Sequence, residues 1–448
     1  MRFTPHTEDD RRKMLERVGV RDVGELFGGI PENIRLKREL QLPKPASELE
    51  ALADLNRLSG RIMADNQLAC FAGCGAYDHF IPSVVDSILS RSEFYTAYTP
   101  YQAEVSQGTL QSIYEFQSLV CRLLEMEVAN ASMYDCASAL AETVHMARDI
   151  THRTRVLVSE GVNPAYIDVI RTYARGLNIP VQPVVLDADA TDLTTLKKSL
   201  SADVAAVIVQ HPNLFGSLEP VSEISRLTHD AGALLVAAVD PISLGILASP
   251  GAYGADIAVA EGQSLGIPLS FGGPYLGLLA TKRKHVRNMP GRLVARTADV
   301  DGNTGYVLAL QTREQHIRRE KATSNICTNQ ALCALAAATY LSWMGRTGMK
   351  QVAENCLARS HYLAERIAEI PGFSIWNRNP FFKEFAVQSP VPAARIVEAG
   401  TRHGILPGVD LGRFREEWKN WLLVAVTEKR PRKELDEYVM FLKQEFGA

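Results

Sequence analysis

The chain lacks any large excess of charge of one sign. Its 448 residues carry 48 lysine and arginine side chains against 51 aspartate and glutamate side chains, which gives a formal net charge of −3. Recognition of nucleic acid or of an anionic membrane surface needs a concentrated basic patch, whereas these basic residues are spread along the sequence. We therefore expect neither nucleic acid nor a membrane among the partners.

Long apolar runs are also missing. The longest one extends from Ala331 to Met344 and is interrupted by Thr339, Tyr340 and Ser342. It is shorter than the roughly 20 residues that a membrane-spanning helix needs, so it predicts a buried helix of a globular protein. The first residues run directly into charged positions without an apolar signal core.

The seven cysteines show neither a disulfide framework nor the spacing of a zinc site. Their odd number and irregular spacing are typical of reduced thiols, and we expect a cytoplasmic protein. Cys70 and Cys74 are the closest pair, and no second pair completes a metal site. We interpret them as small apolar residues, with a redox role as the alternative. No metal site is expected.

The most informative absence is that of lysine, because none occurs between Lys198 and Lys282. This gap lies within residues 131–282, where strand-like and helical patterns alternate. Several of the predicted strands are continuous apolar runs, which indicate a largely parallel sheet covered on both faces, and hence an α/β fold. The predicted strands are Arg155–Ser159, Val181–Leu186, Val204–Gln210, Ala233–Asp240, Asp256–Ala260 and Tyr275–Ala280.

The remaining patterns divide the chain into three parts. Residues 1–65 have helical patterns, with Thr7 as the predicted N-cap of the first helix. We expect this helical arm to pack on another subunit or on its own core. Residues 66–327 form the predicted large α/β domain. Residues 328–448 combine helices with a strand at Trp421–Val426, which predicts a smaller α+β domain.

Polar residues follow the ends of the predicted strands, where open α/β sheets gather their ligands. Asn213 follows one strand, and Asp240 ends another. An aspartate at this edge is what enzymes that use pyridoxal phosphate (PLP) pair with the ring nitrogen. A helix opening with Ser132, Asp135 and Ser138 offers N–H groups and hydroxyls to an anion, although the sequence alone favours ordinary N-capping. Together these residues predict a PLP-type pocket.

The lysine gap removes the central group of such a pocket. PLP is held covalently by a lysine amine, and the segment that should present this lysine reads Glu261-Gly262-Gln263-Ser264. Neither the amide of Gln263 nor the hydroxyl of Ser264 can make that bond. We therefore interpret the pocket as vestigial and expect a partner chain to carry the cofactor.

A polar-aromatic segment at Phe94–Gln102, in the first part of the large domain, has neither helical nor strand periodicity. Long irregular loops inside a domain often carry function. We expect its side chains to reach a cleft shared with the partner, or alternatively only to hold the subunit interface. The candidates are Tyr98, Thr99, Tyr101, Gln102 and Glu104.

Five further stretches are distinctive: Gly75–Pro82, Glu93–Gln102, Glu104–Gly108, Asn130–Glu142 and Arg319–Thr328. Taken together, they resemble the glycine cleavage system P-protein family, specifically its N-terminal half or the separate first (alpha) subunit. The resemblance covers nearly the whole chain. One position departs from it, since the family usually has glycine where this chain has Cys136.

The resemblance implies a fold-type I PLP enzyme whose catalytic lysine lies in the second half or second subunit, with Gln263 or Ser264 at the aligned place here. It further implies a subunit of glycine decarboxylase, in an alpha2–beta2 assembly, that binds no PLP covalently and is inactive alone. The assembly decarboxylates glycine and passes the aminomethyl group to the lipoyl group of the H-protein. Two alternatives are a self-sufficient enzyme using Lys282 or Lys321, and a non-catalytic scaffold or regulatory chain.

Overall fold

The computed structural model describes residues 5–62 and 68–447, and the chain divides into two compact units, Met1–Met63 and Ala64–Ala448. The first unit contains helices α1 (Glu8–Val18) and α2 (Glu48–Ser59) and a short 3-10 helix at Val23–Phe27. Thr7 caps α1 as predicted, because its side chain accepts a hydrogen bond from the Asp10 N–H and Asp10 bonds back to Thr7. Neither α1 nor α2 has a buried residue.

The second unit contains the remaining elements. Its helices are α3 (Ser83–Leu89), α4 (Ser92–Tyr95), α5 (Gln107–Leu124), α6 (Cys136–Thr151), α7 (Pro164–Gly176), α8 (Leu193–Ser199), α9 (Val221–Asp230), α10 (Gln315–Arg318), α11 (Ala331–Ala368), α12 (Ala393–Arg402) and α13 (Arg432–Phe446). Its strands are β1 (Ala69–Cys70), β2 (Val128–Ala129), β3 (Arg155–Ser159), β4 (Val181–Val184), β5 (Leu186–Asp187), β6 (Ala190–Thr191), β7 (Val204–His211), β8 (Leu234–Val239), β9 (Ile257–Glu261), β10 (Gly277–Thr281), β11 (Leu293–Ala298), β12 (Thr304–Ala309), β13 (Ser374–Ile375), β14 (Glu384–Gln388), β15 (Ile405–Leu406), β16 (Val409–Asp410) and β17 (Trp421–Ala425).

A seven-stranded sheet in the order β2-β10-β9-β8-β7-β3-β4 forms the centre of this unit. All neighbouring strands are parallel except that β10 runs antiparallel to both β2 and β9. Every residue of β8 is buried because helices cover both faces: α6 and α7 contribute to one core cluster, and α9 contributes to another. The predicted largely parallel α/β fold is confirmed.

The predicted element bounds differ from the observed ones by a few residues, and the stretch Val181–Leu186 divides into β4 and β5. The apolar run from Ala331 to Met344 is the first part of α11, whose helix is interrupted at Gly345. Across residues 5–62 and 68–447, no helix combines the length and apolar character needed to cross a membrane. The predicted domain boundary near residue 327 remains a prediction, and the predicted arm boundary near residue 65 lies outside the described residues.

Strand register brings the carboxyl ends of three central strands together. His211 of β7 pairs with Val239 of β8, and Val239 pairs with Ala260 of β9. The residues that follow these positions, including Asp240 and Glu261, therefore lie along one edge of the sheet.

A second, four-stranded antiparallel sheet in the order β13-β14-β17-β16 meets this edge. The Phe382 N–H, just before β14, donates to the Gly216 carbonyl at 3.2 Å. Gly216 has φ +77°, and a Cβ there would lie 1.7 Å from the Glu384 carbonyl oxygen. Only glycine permits this approach, which places Lys383 and Glu384 beside the carboxyl edge of the large sheet.

Candidate functional site

A small cavity of about 40 Å³ lies at this edge. Of the residues predicted to form a pocket, Asn213 and Asp240 line the cavity, whereas Ser132, Asp135 and Ser138 do not.

Lys383, which sequence reasoning missed, is the buried cation of the site. Its side chain is 1% exposed, and its Nζ lies 2.7 Å from Asp240 Oδ2. Nζ also lies 2.8 Å from His79 Nε2 and 3.7 Å from the centre of the Tyr77 ring. An ammonium group has three N–H donors, and a carboxylate, an imidazole nitrogen and an aromatic face receive them.

The ammonium of Lys383 fixes the tautomer of His79. Because a lysine ammonium only donates, Nε2 of His79 accepts and the proton is on Nδ1, which donates to Glu428 Oε2 at 2.6 Å. Burial, and then the nearby charge of Lys383, lower the pKa of His79, in agreement with a neutral ring. His79, Cys356 and Glu428 place three potential metal ligands within 4.8 Å of one another, but both ring nitrogens already have hydrogen-bond partners.

Glu261, the last residue of β9, points at the N-terminus of α6. Its Oε2 accepts from the Cys136 N–H at 3.0 Å. Its Oε1 accepts from the N–H groups of Gln263 and Leu276, each at 3.1 Å. Burial raises the pKa of Glu261 to about 8, while these N–H donors act in the opposite direction. A carboxyl group of the chain thus takes the helix-terminal donor that an anionic ligand would use.

The serines and the aspartate at the start of α6 have partners within the chain. Asp135 is the N-cap: it accepts from the Ser138 N–H at 2.7 Å, and the Ser138 hydroxyl accepts from the Asp135 N–H at 3.2 Å. The Ser132 hydroxyl accepts from the Gln330 N–H at 3.2 Å and from the side-chain amide of Asn329 at 3.1 Å. Ordinary capping, the alternative interpretation, describes this segment.

Gln263 lies in a short 3-10 helix directly after β9 and is buried. Its Oε1 accepts from the Tyr77 N–H at 2.8 Å, and its Nε2 donates to the carbonyls of Tyr77 and Ile267 at 3.1 and 2.8 Å. The amide is therefore a structural link to the segment that carries Tyr77. The buried hydroxyl of Ser264 has no hydrogen-bond partner among the described residues.

The two alternative lysines lie elsewhere. Lys282 Nζ is 2.7 Å from Asp256 Oδ1, and Asp256 precedes β9, so this pair is at the end of β9 opposite to Glu261. Lys321 is exposed.

Asn213 shapes the loop after β7. Its side-chain amide donates to the Asp189 carbonyl at 2.7 Å and to Glu219 Oε1 at 2.9 Å. Its Oδ1 accepts from the N–H groups of Phe215 and Ser217 at 3.1 and 3.2 Å. The side chain is therefore fully used in holding the loop that contacts the small sheet.

Buried Arg292, a second residue that the sequence did not indicate, holds the candidate cleft loop that carries Thr99 and Tyr101. Its guanidinium donates to Tyr101 Oη at 2.7 Å and Thr99 Oγ1 at 3.3 Å, and lies 3.4 Å from Glu314 Oε2. Tyr98 is 79% exposed. Thr99 and Tyr101 are thus brought together, while the side chains of Tyr98, Gln102 and Glu104 face outward. No local pattern around Arg292 signals this role.

The cysteines are all free thiols. The Cys74 N–H donates to Glu384 Oε1 at 2.6 Å, and burial raises the pKa of the Cys74 thiol to about 12. Cys70 is buried in β1. The buried Cys70 and the partly buried Cys74, with its raised thiol pKa, agree with the interpretation of both as apolar residues.

Comparison with known sequences gives matches over the full chain. The family model described as glycine cleavage system P-protein matches residues 1–442. A protein of Moorella thermoacetica named probable glycine dehydrogenase (decarboxylating) subunit 1 is 52% identical over 443 residues, which cover 99% of each chain. A protein of Chlorobium limicola with the same name is 53% identical over 444 residues, again covering 99% of each chain.

Solved structures agree with the sequence matches. A crystal structure of glycine decarboxylase (P-protein) of the glycine cleavage system in inhibitor-bound form superimposes with a TM-score of 0.91 at 43% identity, covering 99% of this chain and 100% of that chain. The sphingosine-1-phosphate lyase of Burkholderia pseudomallei superimposes with a TM-score of 0.65 at 13% identity, a likeness of fold alone that covers 92% of this chain and 94% of the lyase. The chain belongs to the glycine cleavage system P-protein family.

Proposed function

We propose that this chain is one subunit of a glycine decarboxylase and that it works only with a second, PLP-bearing subunit. The absence of lysine between Lys198 and Lys282 carries this proposal, since it leaves Gln263 at the end of β9 where a covalent cofactor link would stand. Relatives named subunit 1, matched over 99% of their length, support the existence of a second subunit.

In the proposed assembly, two copies of this chain and two of the partner form an alpha2–beta2 complex. The partner holds PLP, which acts as an electron sink while glycine loses carbon dioxide. The aminomethyl group then passes to the lipoyl group of the H-protein. This chain supplies one wall of the cleft and no covalent chemistry of its own.

The wall is the loop that carries Tyr98, Thr99, Tyr101, Gln102 and Glu104. Arg292 fixes Thr99 and Tyr101 from the buried side, which leaves the Tyr98 hydroxyl free to face a partner. Because the loop is already ordered, no conformational entropy of the loop is lost when it positions a substrate for reaction.

Reconstitution tests the proposal. The full chain, the second subunit and their mixture are each supplied with lipoyl H-protein and glycine labelled in its carboxyl group, and labelled carbon dioxide is measured. We expect release from the mixture alone. Equal release from the second subunit by itself would instead favour a scaffold or regulatory role, and release from this chain alone would contradict the proposed division.

A further inference from the structure

We infer that this chain closes its PLP-type pocket with its own side chains, Lys383 taking the place of the cofactor's cationic ring nitrogen and Glu261 taking the place of its phosphate. The inference concerns the isolated chain and does not depend on the proposed function.

The cationic end rests on Asp240. In a PLP enzyme this carboxylate pairs with a protonated ring nitrogen. Here its Oδ2 pairs with Lys383 Nζ at 2.7 Å, and its Oδ1 accepts from the Ile242 N–H at 3.0 Å. Both oxygens therefore have donors, and the ammonium is in turn enclosed by His79 and the face of Tyr77.

The end at the phosphate position rests on the start of α6. A phosphate at this place would draw on backbone N–H groups at the helix terminus. The Cys136 N–H donates instead to Glu261, and the Ser138 N–H donates to the N-cap Asp135. Glu261 comes from β9 and Lys383 from the segment before β14, so two different parts of the chain supply the two polar ends.

The cavity left between Lys383 and Glu261 is too small for the cofactor. The cavity between these groups measures about 40 Å³, which is room for a few water molecules. Pockets for cofactor-sized molecules are about 300–1,000 Å³. PLP therefore does not fit the residues present, even without a covalent bond.

The ion pair of Lys383 and Asp240 also joins the two sheets. Lys383 belongs to the small-sheet side, because its carbonyl accepts from the Val426 N–H at 2.8 Å after β17. Asp240 follows β8 of the large sheet. A buried ion pair, unlike a cofactor, cannot dissociate from the chain, so the contact between the two sheets does not depend on a ligand.

Binding to the unmodified full chain is the first test. Pyridoxamine 5′-phosphate has the ring and phosphate of PLP but no aldehyde, so surface lysines do not capture it. In equilibrium dialysis we expect no saturable binding. Saturable binding at one molecule per chain that is lost in a folded Asp240→Asn variant would overturn the inference.

Chemical rescue is the second test, read as the midpoint of thermal unfolding. Lys383→Ala removes a group with the shape of propylammonium, and Glu261→Ala removes one with the shape of acetate. We expect propylammonium to raise the midpoint of Lys383→Ala, and acetate that of Glu261→Ala, while each salt leaves the unmodified chain unchanged. If a variant does not fold, refolding in the matching ion replaces the melting experiment.

Neutral and volume controls complete the design. Lys383→Met fills most of the space, so propylammonium should not rescue it. Asp240→Asn combined with Lys383→Ala leaves no unpaired carboxylate, so propylammonium should no longer raise the unfolding midpoint of this double variant. Equal effects of propanol and propylammonium would overturn the inference, because a position specific for the ammonium charge would then not exist.

Discussion

Lys383 and Asp240 form a buried ion pair, with Nζ and Oδ2 2.7 Å apart and side-chain exposures of 1% and 11%. The pair links the start of β14 to the end of β8. Removing one member of such a pair leaves an uncompensated buried charge, whereas removing both is often close to neutral. We therefore expect Lys383→Met to lower the free energy of unfolding by about 3–5 kcal/mol.

A double-mutant cycle in urea tests this expectation. Asp240→Asn together with Lys383→Met should recover a large part of the loss, since no charge is then left unpaired. The matched control is Lys350→Met, which breaks the exposed Lys350–Glu354 pair and should cost about 0–1 kcal/mol. Similar losses for both lysines would contradict a special role for Lys383.

The buried side chain of His211 makes the stability of the fold depend on pH. Its side chain is 6% exposed, and its Nδ1 accepts from the Glu219 N–H at 3.1 Å. The ring of Tyr253 faces it edge-on. Burial lowers the pKa of His211 from 6.5 to about 4, so the folded chain keeps this ring neutral over a pH range in which the unfolded chain protonates it.

The sign follows from proton uptake. Below pH 6.5 the unfolded state binds a proton that the folded state refuses until about pH 4, so stability falls as the pH decreases through this window. We expect His211 to contribute about 3 kcal/mol to this fall. His211→Asn keeps an acceptor for the Glu219 N–H but does not titrate. Its unfolding free energy should therefore change less between pH 6.5 and 4 than that of the unmodified chain, and an equal change in both would contradict this role of His211.

The sequence predicts the sheet well because its strands are apolar runs bounded by polar turns, a local signal. It also places Asp240 at the correct edge, since strand ends in a parallel sheet meet there. The partners of Lys383, in contrast, leave no local signal in the sequence. His79 lies 304 positions away in sequence, and a lysine before an apolar strand looks like any exposed lysine. Glu261 ends an apolar strand as many polar turn residues do, so the sequence does not mark it. Tertiary contacts, which carry no periodicity, decide both positions.

Gly216 is required by the contact between the two sheets. A Cβ at this position would lie 1.7 Å from the Glu384 carbonyl oxygen, at φ +77°. Gly216→Ala should lower the free energy of unfolding by about 3–5 kcal/mol, because backbone strain and overlap add. Gly302 has φ +84° with no atom within 4 Å of the added Cβ. Gly302→Ala therefore isolates the strain and should cost about 1–2 kcal/mol; equal losses for the two variants would show that the sheets separate readily.

Tyr98 is the residue with which we expect the cleft loop to meet the substrate side of the assembly. It is 79% exposed, and Tyr95, in α4, is 70% exposed, so the two tyrosines differ in place more than in accessibility. Tyr98→Phe removes one hydroxyl and keeps the ring. With the second subunit present, turnover should fall about tenfold or more if that hydroxyl orients a reacting group, while sedimentation of the complex stays the same.

Two further variants separate chemistry from structure in this loop. Tyr95→Phe should leave turnover unchanged. Arg292→Lys keeps the charge beneath the loop but cannot hold Thr99 and Tyr101 together in the way that the planar guanidinium does. It should lower turnover without dissociating the complex, whereas Arg296→Lys at an exposed position of β11 should have no effect. Unchanged turnover in Tyr98→Phe would mean that the loop serves only the interface, and loss of assembly in Arg292→Lys would lead to the same conclusion, because a loop that only orients substrate does not hold subunits together.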